Sequence, residues 1–466
     1  MKLLAKNTFA GETLIYYDSQ GRIAFHPDAL CGPRPHLNPE AIYDFLLFDT
    51  ILPPNSIWQG VAALFPGEEL WQDRDGQIIL QNKEYPALTR LGIVAGTPRE
   101  LAAHLDKMFE EYFARTVSRD KPTALMLSGG IDSAILASYL PKDTVCVTWA
   151  GWGEGSSDLR YARQNFRQFA LKKHLVSHID YAADEKIFDA ALRNLRHPFS
   201  ISSGVPYLRM AEQLQEYFQG RPYQLFMGEN ADTIAGAYHT GVYVYYFSKI
   251  NRLWGFVSIP PSLIEKKRKL FLLSSTNPVK LFAYFSSFGL YPGSWINPPQ
   301  GYFETKLEQI KVQLGRLRNF RDHILMLELA IGSRRNQFRQ GYLPPLYGAE
   351  MTLPYYDEGI VKFFLQIPQR IRRQQYFGKT VLQELARRRG VPNEVIEKGK
   401  KGLSYGYADF LQQHRHIPIW DQMQKDIVLN KFVDITAVRQ KHESNFALFD
   451  MLRSAHKYLK VILGPG

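Results

Sequence analysis

The stretch "LMLSGGIDSA", residues 125–134, decides the reading of this chain. An apolar run, Leu125-Met126-Leu127, stops at Ser128-Gly129-Gly130, and a helix-type pattern resumes at Asp132-Ser133. Two glycines let a backbone turn sharply and approach a ligand with no Cβ in the way. A helix start adds unpaired N–H groups and the positive end of its dipole. Together they make a cradle suited to phosphate. Ser128 and Ser133 offer hydroxyl donors, and Asp132 suits a magnesium ion bridging phosphate oxygens. The simpler alternative is a tight turn in which Asp132 or Ser133 caps the helix. The apolar strand just before the glycines, and the absence of the lysine a Walker-type loop requires, favour a phosphate loop of another type.

Working outward, strand and helix patterns alternate. Thr123–Leu127 reads as strand and Asp132–Leu140 as helix; Thr144–Ala150 as strand and Asp158–Leu171 as helix. His174–Ile179 is strand, Pro206–Phe218 helix and Gln224–Met227 strand. This predicts an α/β fold, a doubly wound parallel sheet with ligands at the carboxyl ends of its strands. Before it, "RELAAHLDKMFEEYFARTV" (99–117) has helical periodicity, and residues 1–95 carry short β-like runs between Gly, Asp and Pro. The expected division is a small β-rich domain, 1–95, and a nucleotide-binding domain with additional helices, 96–466. Past residue 240 the chain turns aromatic and irregular, then helical, clearest in "GIVKFFLQIPQRI" and "TVLQELARRR".

Composition narrows the class. The 466 residues suffice for two domains, and 45% apolar with 22% charged residues reads as an ordinary globular protein. No run approaches the roughly 20 apolar residues that span a bilayer, and the first residues are too short for a signal segment. A cytoplasmic protein without membrane association is expected. Cys31 and Cys146 lie far apart, and Cys146, inside "TVCVTWA", reads as core. The charge of +12 suits an anionic partner or a solvated basic surface equally.

The hexapeptide 128–133 resembles the SGGxDS signature of the ATP pyrophosphatase family, which cleaves ATP between its α- and β-phosphates to adenylate a carbonyl or carboxylate. Within it, "LFMGENADTIAGAY" (225–238) resembles the S-G-E-G-x-D-E-x-F-G-G-Y segment of asparagine synthetases. That resemblance implies Glu229 beside the reacting centre and Asp232 as the second magnesium carboxylate with Asp132. The departures are Met227 for Ser, Asn230 for Gly and Thr233 for the acid. "EKGKKGLSYG" (397–406) resembles R-P-K-K-G-F, so Lys400 matches the lysine that steadies the α-phosphate, with Lys401 as its neighbour. "GAEMTLPYYDEGIVKFFLQIPQRIR" (348–372) is similar to E-x-R-x-P-F-L-D-x-x-L-V-x-F-x-x-x-L-P, with Thr352 in place of Arg. "GWGEGSSDLRYARQNF" (151–166) is similar to the glycine-rich turn that flanks adenosine, Asp158 capping the next helix. The nucleotide site implied is Leu127, Ser128, Gly129, Gly130, Asp132, Ser133, Thr148, Asp158 and Gly228, and the implied cofactors are ATP and Mg2+.

Asparagine synthetases carry a glutaminase whose nucleophile is a cysteine following the initiator Met; here residue 2 is lysine. "YDFLLFDTILPPNSIWQGVAALFPGEEL" (43–70) resembles the end of that domain, so residues 1–95 are expected to be a truncated, non-catalytic remnant. Relatives lacking the cysteine, the β-lactam synthetases and lasso-peptide cyclases, join a carboxylate to an amine of the same molecule. The expectation is therefore an AMP-forming amide ligase acting on a small-molecule or peptide carboxylate with an amine donor, with a peptide-maturation partner protein a further expectation and the 240–345 segment a candidate substrate surface. Two rivals are a tRNA-modifying enzyme, for which no RNA-binding motif or cysteine pair is seen, and a non-catalytic partner in a peptide-maturation complex.

Overall fold

The computed structural model describes residues 1–466 except 9–12, 34, 83–90, 152, 237–238, 254–268, 315–326, 373–378, 398–404 and 464–466. Five parallel strands form the central sheet: β7 (Thr123–Met126), β8 (Val145–Trp149), β9 (Lys173–Ser177), β10 (Tyr223–Phe226) and β11 (Ala349–Thr352). Their order is β11-β10-β7-β8-β9. The short apolar strands β7, β8 and β10 are buried throughout, as expected where helices cover both faces. The expected α/β fold is observed, with two small antiparallel sheets in the N-terminal region.

The order fixes where a ligand can sit. From β7 the chain winds outward through β8 and β9, then returns to lay β10 and β11 on the other side of β7. The crevice between the carboxyl ends of β7 and β10 is thus the switch point of the sheet, the usual ligand position in such folds. Expected helices appear at Pro98–Thr116, Ile131–Ala137, Ser157–Gln168, Glu358–Gln366 and Thr380–Arg388. The helix expected from Pro206 starts at Ile201 and contains Pro206 in its interior. The helix Tyr181–Leu195 and the strand β11 are additions to the expectation.

In the N-terminal region, β1 (Lys2–Lys6), β5 (Glu68–Gln72) and β6 (Ile78–Asn82) form one sheet, and β2 (Tyr16–Asp18), β3 (Ile23–Ala24) and β4 (Val61–Ala63) the other. An unforeseen helix, Pro39–Phe48, starts at Asn38, whose side chain accepts from Glu40 N. It buries Phe45, Leu46, Leu47 and Phe48 in the same core cluster as the C-terminal helix Phe446–Leu463. Asp44, fully buried on that helix, faces Lys306 Nζ at 3.3 Å and accepts from Asn55 Nδ2 at 2.8 Å and from Tyr302 Oη. Asp49 likewise pairs with Arg339.

Asp450, 1% exposed, accepts from Ser202 N at 2.9 Å. Burial pushes its pKa up to about 7, against the pull of the Ser202 bonds. An acid whose folded pKa lies above its unfolded value stabilises the fold when protonated; this contribution is complete below about pH 4 and lost as pH rises through 7. Asp450→Asn is therefore expected to gain on the wild type between pH 4.5 and 8, by on the order of 2–4 kcal/mol, in urea unfolding at the two pH values.

Candidate active site

The loop after β7 is held by its own hydroxyls. Ser128 N donates to Ser133 Oγ at 3.0 Å, the two hydroxyls lie 3.0 Å apart, and Gly130 N donates to Ser128 Oγ at 3.2 Å. Ser133 is buried and locks the loop, whereas Ser128 is exposed at its tip. Leu127 is buried, and its carbonyl accepts from Thr148 Oγ1 at 2.5 Å. Thr148 also lies 2.7 Å from His174 Nε2, so its hydroxyl is committed to framing the loop. Burial pushes His174 down to about 4, which keeps this imidazole neutral.

The loop after β10 packs directly against this one. A Cβ on Gly228 would lie 3.0 Å from Ser133 N and 3.2 Å from Asp132 Cβ, so only glycine allows the two loops their approach. Asn230 holds a left-handed backbone, φ 72°, and its Nδ2 donates to Tyr355 O at 2.8 Å. Asparagine adopts this region more readily than other side chains, which accounts for its standing where relatives have glycine. Tyr355, fully buried, donates in turn to the Asp132 carbonyl at 3.1 Å. Gly228→Ala should push the loops apart by a few tenths of an ångström, costing about 1–2 kcal/mol of stability and about tenfold in ATP–pyrophosphate exchange.

The result is a convergence of charge. Lys379 Nζ lies 2.6 and 2.5 Å from the two carboxylate oxygens of Asp132, and 2.7 Å from Asp232 Oδ1. The lysine side chain is 9% exposed, the aspartates 14% and 16%. One cation position is thus shared by two carboxylates at the switch point. The donor set fits magnesium, which is commonly held by one or two carboxylates plus substrate phosphates. Among the described residues no third His, Cys, Asp or Glu joins them.

Lys379 has no place among the sequence expectations. It stands at the N-cap of the helix Thr380–Arg388 and makes no cap bond there. Caps favour Ser, Thr, Asp or Asn, and a cation is disfavoured at the positive end of a helix dipole. That local misfit is the signal that could have found it.

Glu229 points elsewhere: its Oε1 accepts from Asn336 Nδ2 at 2.8 Å. Asn336 lies on Ser333–Tyr342, a helix whose only aromatic side chains are Phe338 and Tyr342, yet Arg334, Gln337, Arg339 and Gln340 are buried. A polar helix in the interior is exceptional, and this one was not singled out in the sequence. Asp158 sits in the first turn of Ser157–Gln168, but the cap is Ser156, whose side chain accepts from Leu159 N. The capping expected of Asp158 is thereby corrected: serine one residue before the helix is the better placed acceptor. Thr352 accepts from Gln224 Nε2 at 2.9 Å, inside the sheet. Lys400 and Lys401 lie outside the described residues.

A switch-point crevice with a glycine-rich loop and two aspartates on one cation position defines an α/β nucleotide-binding protein. The chain belongs to the asparagine synthase family, whose model matches residues 104–457. No curated protein matches it. Membership makes it an ATP-dependent, amide-forming ligase of the AMP-forming carbon–nitrogen class; the family uses ATP, usually with Mg2+. Among the described residues no helix is long and apolar enough to cross a membrane.

Proposed function

We propose that this ligase adenylates a carboxylate and passes the acyl group to an amine of the same substrate, closing a lactam or macrolactam in the maturation of a peptide-type product. The observation that carries the reading is the shared cation position of Asp132 and Asp232. Ser128, Gly129 and Gly130 receive the phosphates, and Gly228 and the turn carrying Asp158 border the nucleotide. Asp132 and Asp232 would hold magnesium, which would supply charge neutralisation on the leaving phosphates. Lys379 then exchanges a carboxylate for a phosphate oxygen, keeping its ammonium beside the charge that develops.

The substrate carboxylate attacks the α-phosphorus, the bond to the β-phosphate breaks and pyrophosphate leaves. The amine then attacks the acyl carbon, AMP leaves, and the amine proton passes to a base. Glu229, oriented by Asn336, is suited to that proton and to the ammonium form of the donor. Lys400, seconded by Lys401, is assigned the α-phosphate. Holding acid and amine in one pocket replaces a collision by proximity, worth up to about 7–11 kcal/mol.

The amine is assigned to the substrate rather than to glutamine because neither cysteine is poised for glutaminase chemistry. Cys146 is buried in β8, its thiol pushed up to about 12 by burial. Cys31 donates to Asp28 O at 3.1 Å and is also raised, chiefly by burial. Residues 1–95 accordingly serve as a non-catalytic remnant.

The test is ATP–pyrophosphate exchange across a panel of carboxylates, followed by mass analysis. The expected result is exchange with substrates carrying both groups and a product lighter by one water. Exchange with a simple acid, yielding a primary amide only when ammonia is added, would overturn the intramolecular reading.

A further inference from the structure

Away from the two loops, the helices Tyr181–Leu195, Tyr407–Gln412, Ile417–Gln424 and Phe446–Leu463 border an open pocket of about 550 Å3. No residue of the phosphate loop, of the 228–232 loop or of the Lys379 cluster lines it. Its floor is Arg453, 2% exposed. The Nη2 of this guanidinium pairs with Glu185, but Nε and Nη1 have no hydrogen-bond partner among the described residues. Buried donors without acceptors are costly, and native proteins seldom leave them so.

The other cations are arranged around this floor. Lys457 lies 2.6 Å from Glu185 and 2.6 Å from Asp189, so both carboxylates of the cavity are already engaged. Arg193 and Lys460, exposed at the rim, have no carboxylate partner among the described residues. Arg415 spans the Tyr181 ring at 5.0 Å. Five Arg and Lys side chains thus face two acids, an excess of three positive charges. His456 is accounted for by Asp426 at 2.6 Å. Phe410 and Tyr181 supply flat apolar walls.

We propose that this cavity is a second ligand site, built for a small molecule carrying at least two phosphate or carboxylate charges. Arg453 adds a fixed positive charge beneath the pocket, its Nε and Nη1 being buried donors without partners. Arg193, Arg415 and Lys460 supply the remaining charge at the entrance. The wall residue Tyr181 donates to the Gly406 carbonyl at 2.9 Å, so an occupant would sit one side chain away from Gly406.

The experiment titrates inorganic phosphate, pyrophosphate and citrate into the full chain by calorimetry, at constant ionic strength and with saturating MgATP to fill the phosphate loop. At least one probe is expected to bind, with phosphate probes favoured if phosphoryl groups are the natural occupant and citrate if carboxylates are. Arg193→Glu/Lys460→Glu, altered only at exposed positions, should weaken that binding about tenfold or more while leaving exchange unchanged. Binding equally strong in the double variant, binding lost in Asp132→Asn instead, or no heat from any probe would each overturn the proposal.

Discussion

Asp232→Asn and Asp132→Asn should each lower ATP–pyrophosphate exchange by about a thousandfold, the scale on which removal of a charge aimed at a reacting phosphate is felt. Each change is nearly isosteric and leaves the other carboxylate on Lys379, so folding should survive and circular dichroism should match the wild type. The two variants should fall together, because both acids serve a single cation position. Exchange at wild-type rates in either would place the triphosphate elsewhere and remove the ground for the proposed mechanism.

Lys379→Met has the second largest effect and a more distinctive signature. Without the ammonium, two largely buried carboxylates face one another with no cation between them. Removing one member of a buried charge group is costly, here about 2–4 kcal/mol in metal-free buffer after allowing for the partial exposure of the acids. Millimolar Mg2+ should restore much of that loss without nucleotide, since the metal would take the position the ammonium left. The wild type, already neutralised, should respond little. Exchange should fall by about a hundredfold even with metal present. Thermal melts with and without Mg2+ decide the matter: a variant indifferent to the metal would mean that the carboxylates do not share a cation site.

Much of the sheet was legible because β7, β8 and β10 are short, buried, largely apolar runs soon followed by glycine. Thr123–Leu127 and Gln224–Met227 anticipate β7 and β10 to within a residue or so. Asp132 could be named from the loop that follows such a strand, and Asp232 from the resemblance of residues 225–238 to the asparagine synthetase segment. What joins them could not. Lys379 lies 247 residues from Asp132 in sequence, among many lysines and arginines, and only the tertiary fold brings its Nζ between the acids. Asn336 was hidden for a related reason: its helix has only Phe338 and Tyr342 among mostly polar residues, too few for periodicity to mark a buried face. Strand β11 was absorbed in a segment read for its helix, and Tyr181–Leu195, amphipathic as it is, was passed over between two clearer elements.

The contact of Asp44 with Lys306 limits how this chain can be cut. Lys306 is 2% exposed, and its nearest carboxylate is donated by the helix Pro39–Phe48. A fragment beginning near residue 96 would strand that ammonium in an apolar setting and bare the surface on which Phe45 and Phe48 rest. The catalytic portion is therefore not a portable module. Any chimera that exchanges the N-terminal segment has to carry Asp44, Asn55, Tyr302 and Lys306 across as one matched set.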